Sequence, residues 1–303
     1  SALVCLALAA PVMADDFVIT GSDNSTNGTG TTNGGTAAAI ADTAINGSDT
    51  VSLGIALTTT GTNVGIETTG GTNKVTVSEA GSITTGTGNF ANGIYNIGDN
   101  NETTVSGSIT TAGSSANGIW NNGNFNTTTV SGSIGTTGNF ANGIYTGNSS
   151  STNTTTVSGS ITTAGSSANG IRTYGDDNVT TISGTVKATG ASSAALYSAG
   201  GDGNSFTLNE GATIIGDILA RDATNNAYDA TNSKLIFNLG ASTSYAYSVS
   251  GKGEGTGAGQ WIFSDLDRSS QVVTTTGTGC DTTVSDAGND TCNLVTAVGA
   301  ANA

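Results

Sequence analysis

The sequence predicts an all-β protein that folds as a right-handed parallel β-helix, with rungs of about 25 residues. Two observations carry this prediction. First, short motifs recur at nearly constant spacing: Ala-Asn-Gly-Ile stands at 91–94, 116–119, 141–144 and 168–171, and Val-Ser-Gly-Ser-Ile stands at 105–109, 130–134 and 157–161. Second, the segments around these motifs are rich in β-branched residues and alternate apolar with polar side chains, as strands do. Glycine recurs too often for helices, and no stretch has an apolar face of helical period.

Aligning the rungs places isoleucine, valine and leucine in three columns. The first column holds Ile66, Ile94, Ile119, Ile144, Ile171 and Leu196. The second holds Val77, Val105, Val130, Val157, Ile182 and Leu208. The third holds Ile83, Ile109, Ile134, Ile161, Val186 and Ile214. Successive rungs of a parallel coil lie about 4.8 Å apart, so we expect each apolar side chain to stack on a like side chain and form the core.

The asparagines of Ala-Asn-Gly-Ile have two interpretations. They are Asn92, Asn117, Asn142 and Asn169. They fit a stacked ladder within a turn, with the next glycine supplying the bend, and they fit equally well as ordinary exposed turn residues.

The apolar run of residues 3–13, followed by Ala14, predicts a partial signal peptide over residues 1–14. We expect an N-terminal cap or frayed segment at 15–40, the β-helix at 41–270, and a loop with an Ala-rich tail at 271–303. Because an exported chain meets an oxidising environment, Cys280 and Cys292 are expected to form a disulfide worth about 3 kcal/mol.

Composition excludes several functions for this chain. It has no histidine, which removes Ser-His-Asp and Cys-His nucleophile pairs and histidine-ligated metal sites. Its formal net charge is −15, from 22 acidic and 7 basic residues, so nucleic acid is not expected as a partner. We predict no catalytic residues, no metal and no cofactor.

Three weaker patterns in the sequence are typical of other functions. Residues 200–206 approach a calcium-binding repeat, and residues 251–257 resemble a phosphate loop superficially, but both are better explained as turns. Two carboxylate pairs are conceivable for glycan cleavage, Asp176 with Asp177 and Asp265 with Asp267. Each pair lies at a predicted turn or strand edge, where solvated aspartates are common, so these carboxylates are better explained as surface residues.

The repeated Ala-Asn-Gly-Ile-Tyr and Thr-Val-Ser-Gly-Ser-Ile-Thr-Thr pattern, with residues 207–218 and 234–240, resembles the passenger domains of Gram-negative autotransporters over roughly residues 40–265. The resemblance implies export, display at the cell surface or release, and passage through an outer-membrane β-barrel translocator. The sequence contains no C-terminal set of amphipathic barrel strands, so we expect the translocator outside this chain.

The preferred functional hypothesis is adhesion or self-association through regular β surfaces, with a host or glycan ligand or an identical rod as partner. The alternatives are a polysaccharide-degrading β-helix enzyme and a structural or ice-binding solenoid, the latter suggested by the Thr-rich strands.

Overall fold

The structure, a computed structural model, describes residues 17–19, 24–26, 40–42, 50–54, 56–221, 229–238, 248–250, 256–265, 272–275 and 292–298. Side chains are described within 50–54, 56–221, 229–238 and 256–262. All regular structure in this part of the chain is β-strand, arranged as a parallel solenoid of about 7 turns with rungs of about 26 residues. The predicted fold class is therefore confirmed, while the right-handed sense of the coil stays a prediction.

Three long sheets run along the solenoid, and we name them in the order in which a typical rung visits them. Sheet A contains Phe17–Ile19, Ile40–Asp42, Ile66–Thr69, Ile94–Ile97, Ile119–Asn122, Ile144–Thr146, Ile171–Thr173, Ala194–Ser198, Asp217–Ala220, Ser248–Ser250, Cys292–Val298 and Val272–Thr275. Sheet B contains Asn24–Thr26, Thr50–Leu53, Lys74–Val77, Glu102–Val105, Thr127–Val130, Thr154–Val157, Val179–Ile182, Ser205–Asn209, Ser233–Asn238 and Trp261–Asp265. Sheet C contains Ala56–Thr58, Ser82–Thr84, Ser108–Thr111, Ser133–Thr136, Ser160–Thr163, Thr185–Ala188 and Thr213–Ile215. A two-stranded sheet joins Gly201–Asp202 to Ala230–Thr231.

Strand pairing continues beyond the central rungs toward both the N-terminal and the C-terminal end of the chain. The strands Phe17–Ile19 and Asn24–Thr26 pair in parallel with the following rung, inside the segment 15–40 that the sequence marks as a cap. Cys292–Val298 pairs in antiparallel fashion with Ser248–Ser250 and with Val272–Thr275. The pairing therefore changes from parallel to antiparallel near the C-terminal end.

The three apolar columns form continuous ladders. Ile119, for example, pairs in register with Ile94 on one side and Ile144 on the other, and its side chain is 0% exposed. Strands such as Thr127–Val130 alternate exposed and buried residues, because successive side chains of a strand point to opposite faces. The buried set of each strand faces the interior of the coil.

The interior also contains a belt of polar side chains, which the hydrophobic pattern did not indicate. Within it, Asn96 donates through Nδ2 to Thr103 Oγ1 at 2.9 Å and to Asn121 Oδ1 at 2.8 Å. Buried threonines of sheet C form hydrogen bonds with the backbone of the following corner. For example, Thr136 Oγ1 donates to the carbonyl oxygen of Ala141 at 2.6 Å. Most of these polar groups find a partner inside the coil, which offsets their desolvation, whereas Thr173 Oγ1 is buried without one.

Asparagine ladders line two corners of each rung. Between sheets C and A, the asparagines of Ala-Asn-Gly-Ile are at most 4% exposed, and the backbone N–H of each donates to the Oδ1 of the one before, as in Asn117 to Asn92 at 2.8 Å. The stacked-ladder interpretation is confirmed. A second ladder at the corner between sheets A and B runs in the opposite direction and consists of Asn73, Asn101, Asn126, Asn153, Asn178 and Asn204.

On four rungs the corner between sheets B and C is a two-residue Ser-Gly link, at 106–107, 131–132, 158–159 and 183–184, and it requires glycine. A Cβ added to Gly132 would lie 1.9 Å from the carbonyl oxygen of Gly107 on the preceding rung. The backbones of neighbouring rungs therefore approach too closely at this corner for any side chain.

Two predictions concern residues beyond these bounds. The signal peptide at 1–14 lies outside the described residues, as do Cys280 and the side chain of Cys292, so both the leader and the disulfide stay predictions. Within the part of the chain that the structure describes, no helix is long and apolar enough to span a bilayer.

Candidate binding surface: an aromatic column on sheet A

The outer face of sheet A presents a column of large side chains on consecutive rungs. We call it the aromatic–arginine column, and it consists of Tyr95, Trp120, Tyr145, Arg172 and Tyr197, which pair in register. Each member directly follows an inward residue of the first apolar column, so strand alternation turns it outward. All five side chains are half-buried. The rod therefore carries a stripe of large side chains, four rings and one guanidinium, along one face.

The rings of this column stack on one another along the rod. Tyr95 and Trp120 lie 4.4 Å apart between centroids with an interplanar angle of 23°, and Trp120 and Tyr145 lie 5.5 Å apart at 43°. Stacking and tilted contacts of this kind contribute about 0.5–1.5 kcal/mol per pair beyond area burial. The surface offered to a ligand is thus a row of ring edges and tilted faces, held rigidly by the strands beneath.

Arg172 interrupts the rings and is held by them. Its guanidinium carbon lies 5.7 Å from the centroid of Tyr145, 5.4 Å from that of Tyr197 and 4.9 Å from that of Tyr174. Each of these distances is within cation–π range. The positive charge is therefore fixed in position by three aromatic rings.

Tyr174 brings a second arginine to the same place. Its ring is buried, and its hydroxyl oxygen accepts from Arg172 Nη2 at 2.5 Å and from Arg221 Nη1 at 3.1 Å. Arg221 immediately follows the strand Asp217–Ala220, which lies two strands beyond that of Arg172 in sheet A. Two guanidinium groups thus converge at one end of the column.

Burial shapes the acid–base behaviour of the column. It raises the pKa of the Tyr145 and Tyr197 phenols above the ordinary value, with the charge of Arg172 opposing the effect in both. Burial likewise raises the pKa of Tyr95 and of Glu67, which occupies the same register position one rung before Tyr95. These tyrosines are neutral hydrogen-bonding groups at physiological pH.

Amide groups flank the rings. Asn122 Nδ2 donates to the hydroxyl of Tyr95 at 3.4 Å, and the hydroxyl of Tyr145 donates to Asn148 Oδ1 at 3.2 Å. Asn148 is exposed and Asn122 is half-buried. The column thus combines ring surface with amide and phenol groups that can donate and accept hydrogen bonds.

A second regular surface lies on the outer face of sheet B. One register position holds threonine on six consecutive rungs, namely Thr76, Thr104, Thr129, Thr156, Thr181 and Thr207. The neighbouring outward position is mixed, and an ion pair between Lys74 and Glu102 at 3.0 Å occupies part of it. The outward Thr-X-Thr pattern is complete on two rungs, at 127–129 and 154–156.

An open groove of about 480 Å³ follows the corner between sheets B and C. It is lined by the Ser-Gly-Ser segments at 106–108 and 131–133, with Gly159, Ser160 and Glu79. The glycines that form it are required by rung stacking, so the groove has a structural explanation.

The carboxylates considered from the sequence do not assemble into a site within the described residues. Asp176 and Asp177 are exposed, and Asp176 Oδ1 accepts from the backbone N–H of Asp202 at 2.8 Å. In the calcium-like segment, Asp202 accepts from Thr231 and Asn232, which lowers its pKa. No group of three potential ligands meets there or elsewhere in the described part. The side chain of Asp265 is not described, and Asp267 and residues 251–255 lie outside the described ranges.

Sequence reasoning missed the aromatic–arginine column. The available signal was the residue after each isoleucine of the first column, which is tyrosine, tryptophan, tyrosine and arginine on four successive rungs. Arg172 and Arg221 lie far apart in the chain, so only the coil brings them together.

Comparison of the chain with protein-family models, curated proteins and solved structures found no match. The β-solenoid is consistent with the β-helical passenger that the resemblance implies, and the autotransporter assignment stays a proposal.

Proposed function

We propose that this protein is a β-helical adhesin whose aromatic–arginine column binds surface glycans. One observation carries the proposal: five consecutive rungs place an aromatic ring or an arginine at the same outward position. The corresponding outward columns of sheets B and C consist mainly of threonine and serine. Large half-exposed rings aligned on consecutive rungs are typical of binding surfaces, whereas the exposed phenylalanines Phe90, Phe125 and Phe140 stand singly at corners of the rod.

The physical case rests on rigidity and on complementary chemistry. The column stands on paired strands over a buried isoleucine ladder, so little conformational entropy is lost when a ligand binds. An extended polysaccharide lying along the rod would contact several rungs at once, and weak contacts repeated in this way add up to useful avidity.

Export and display follow from the resemblance to autotransporter passengers. In this proposal the rod is presented at the surface of a Gram-negative cell, or released from it, after passage through a translocator barrel. Its role there is adhesion, and it carries out no reaction on the bound glycan.

The test is binding of the purified chain to an array of plant, bacterial and animal glycans. Trp120→Thr and Tyr145→Thr replace rings with the residue common on the other faces, and each is expected to weaken binding about tenfold. Thr129→Ala on sheet B is the control and should bind as the parent chain does. If no glycan binds, or if the ring variants bind unchanged, the proposal fails.

Ice binding is a second candidate, favoured by the threonine column of sheet B. Five half-exposed threonines, Thr76, Thr104, Thr129, Thr156 and Thr181, present methyl and hydroxyl groups at a regular spacing of about 4.8 Å, whereas Thr207 at the same register position is buried. Thermal hysteresis that is lost in Thr129→Lys and Thr156→Lys, but kept in Trp120→Thr, would support this function. Absence of hysteresis in the parent chain would eliminate it.

A further inference from the structure

We propose that the Arg172 end of the aromatic–arginine column is a subsite for a carboxylate-bearing sugar, so that the preferred glycan is an acidic polysaccharide. This inference rests on the proposed glycan-binding function and narrows it to one ligand class. Its basis is the arrangement of Arg172, Arg221 and Tyr174.

The first step is the convergence of two positive charges. Arg172 Nη2 and Arg221 Nη1 donate to the same phenol oxygen of Tyr174. The shared acceptor is a phenol oxygen and not a carboxylate, so these hydrogen bonds bring no carboxylate counter-charge to either guanidinium. Two cations held this close repel each other, and a bound anion would relieve that repulsion.

The second step is the state of Arg172 itself. No carboxylate among the described residues lies within ion-pair distance of its guanidinium, which instead packs against the rings of Tyr145, Tyr174 and Tyr197. Its Nε is buried and has no hydrogen-bond partner. A half-buried charge of this kind is costly without a counter-charge. A ligand carboxylate is the natural counter-charge.

The third step is the match between geometry and ligand. A guanidinium presents N–H groups in a planar fork that fits a carboxylate in bidentate fashion. The rings of Tyr145 and Tyr197 lie in register on either side of Arg172, so apolar surface borders the charge along the rod axis. A uronic or sialic acid residue combines a carboxylate with a C–H-rich ring, and both features meet a partner here.

The experiment compares each acidic polymer with its own carboxyl-reduced form. Polygalacturonate, alginate and hyaluronate, and the same polymers after reduction of the carboxylates to hydroxymethyl groups, are titrated against the full chain by calorimetry. We expect at least one acidic polymer to bind, and its reduced form to bind about tenfold or more weakly. Added salt should weaken binding of the acidic form far more than binding of the reduced form.

Variants assign the effect to the subsite. Arg172→Gln should weaken binding of the acidic polymer about tenfold and leave binding of its reduced form unchanged. Arg221→Gln, outside the ring column, should also weaken binding of the acidic polymer. It provides a second test of the subsite if Arg172→Gln does not fold. Lys187→Gln removes a positive charge from the outer face of sheet C and is the matched control. Circular dichroism and thermal melting establish that each variant is folded.

The outcomes separate this inference from the proposed function. Equal binding of an acidic polymer and its reduced form would overturn the acidic-sugar subsite and leave glycan binding intact. Unchanged affinity in both arginine variants would overturn it as well. If neither the acidic nor the reduced polymers bind, and the array is also negative, the proposed function fails together with the subsite.

Discussion

Asn142 and Asn117 are joined by two hydrogen bonds across one rung, because the backbone N–H and the side-chain Nδ2 of Asn142 both donate to Asn117 Oδ1 at 2.9 Å. Asn169 makes the same pair of contacts to Asn142 Oδ1, each at 3.0 Å. One amide oxygen per rung therefore satisfies two buried donors of the next rung. This repeated contact fixes the corner that leads into the aromatic face.

Asn142→Ala should destabilise the rod by about 1–3 kcal/mol, because it leaves two donors of Asn169 buried without an acceptor. Chemical denaturation measures the loss, and amide exchange at Asn169 should accelerate. Asn148→Ala, at an exposed position, is the control and should change stability little. Equal stability of the two variants would show that the ladder contributes nothing.

Gly132→Ala and Gly135→Ala lie three residues apart and should behave oppositely. A Cβ at position 132 would meet backbone oxygens of Gly107 and Ser106 at 1.9 and 2.4 Å, whereas a Cβ at position 135 has nothing within 4 Å. We expect Gly132→Ala to cost about 3 kcal/mol or more, and Gly135→Ala to be neutral or to stabilise by up to about 1 kcal/mol. Urea unfolding midpoints measure both. Similar effects of the two changes would argue against the close approach of rungs at this corner.

Phe140→Asn should raise stability. Phe140 has a φ of 58° and a side chain 56% exposed, so a bulky residue occupies the left-handed region without burying its ring. Asparagine tolerates this conformation, and we expect a gain of about 1 kcal/mol in unfolding free energy. Phe140→Leu keeps both the strain and the apolar surface, so it should give no gain. A lower melting temperature for Phe140→Asn would contradict the assignment of strain.

Alkaline pH should weaken the fold through the half-buried tyrosines Tyr145 and Tyr197. Burial raises the pKa of Tyr145 and Tyr197 above the ordinary value of 10.0, so the folded state binds these protons more tightly than the unfolded state does. The resulting stability is complete below about pH 10 and is lost as the pH rises through the folded-state pKa. Urea midpoints at pH 8 and pH 11 should therefore differ more for the parent chain than for the Tyr145→Phe, Tyr197→Phe double variant. An equal loss in both proteins would rule out these phenols as the cause.

The apolar ladders were predictable from the sequence because repetition fixes register. When isoleucine recurs in the same motif on successive rungs, parallel pairing is the arrangement that buries every copy together, as Ile94 and Ile119 show. The sequence did not decide whether the Asn117 side chain is buried or exposed. The direction in which a turn side chain points depends on the conformation of the whole rung.

The second asparagine ladder is also visible in the sequence as a regular spacing. Each of its members stands four residues before the second apolar column, as Asn126 stands before Val130 and Asn153 before Val157. The candidate site was harder to find, because its members share a register position and not a residue type. Arg172 and Tyr174 acquire their roles from partners on other rungs, and spacing along the chain does not reveal such contacts.

The central claim is that residues one rung apart lie directly over one another, and methyl NMR tests it most directly. The protein is labelled at isoleucine δ1 methyl groups, which are assigned from single Ile→Val substitutions. We predict strong nuclear Overhauser cross-peaks from Ile119 to Ile94 and to Ile144, and a much weaker one between Ile94 and Ile144. Absence of the cross-peaks from Ile119 would contradict the stacked coil and every surface assigned to it.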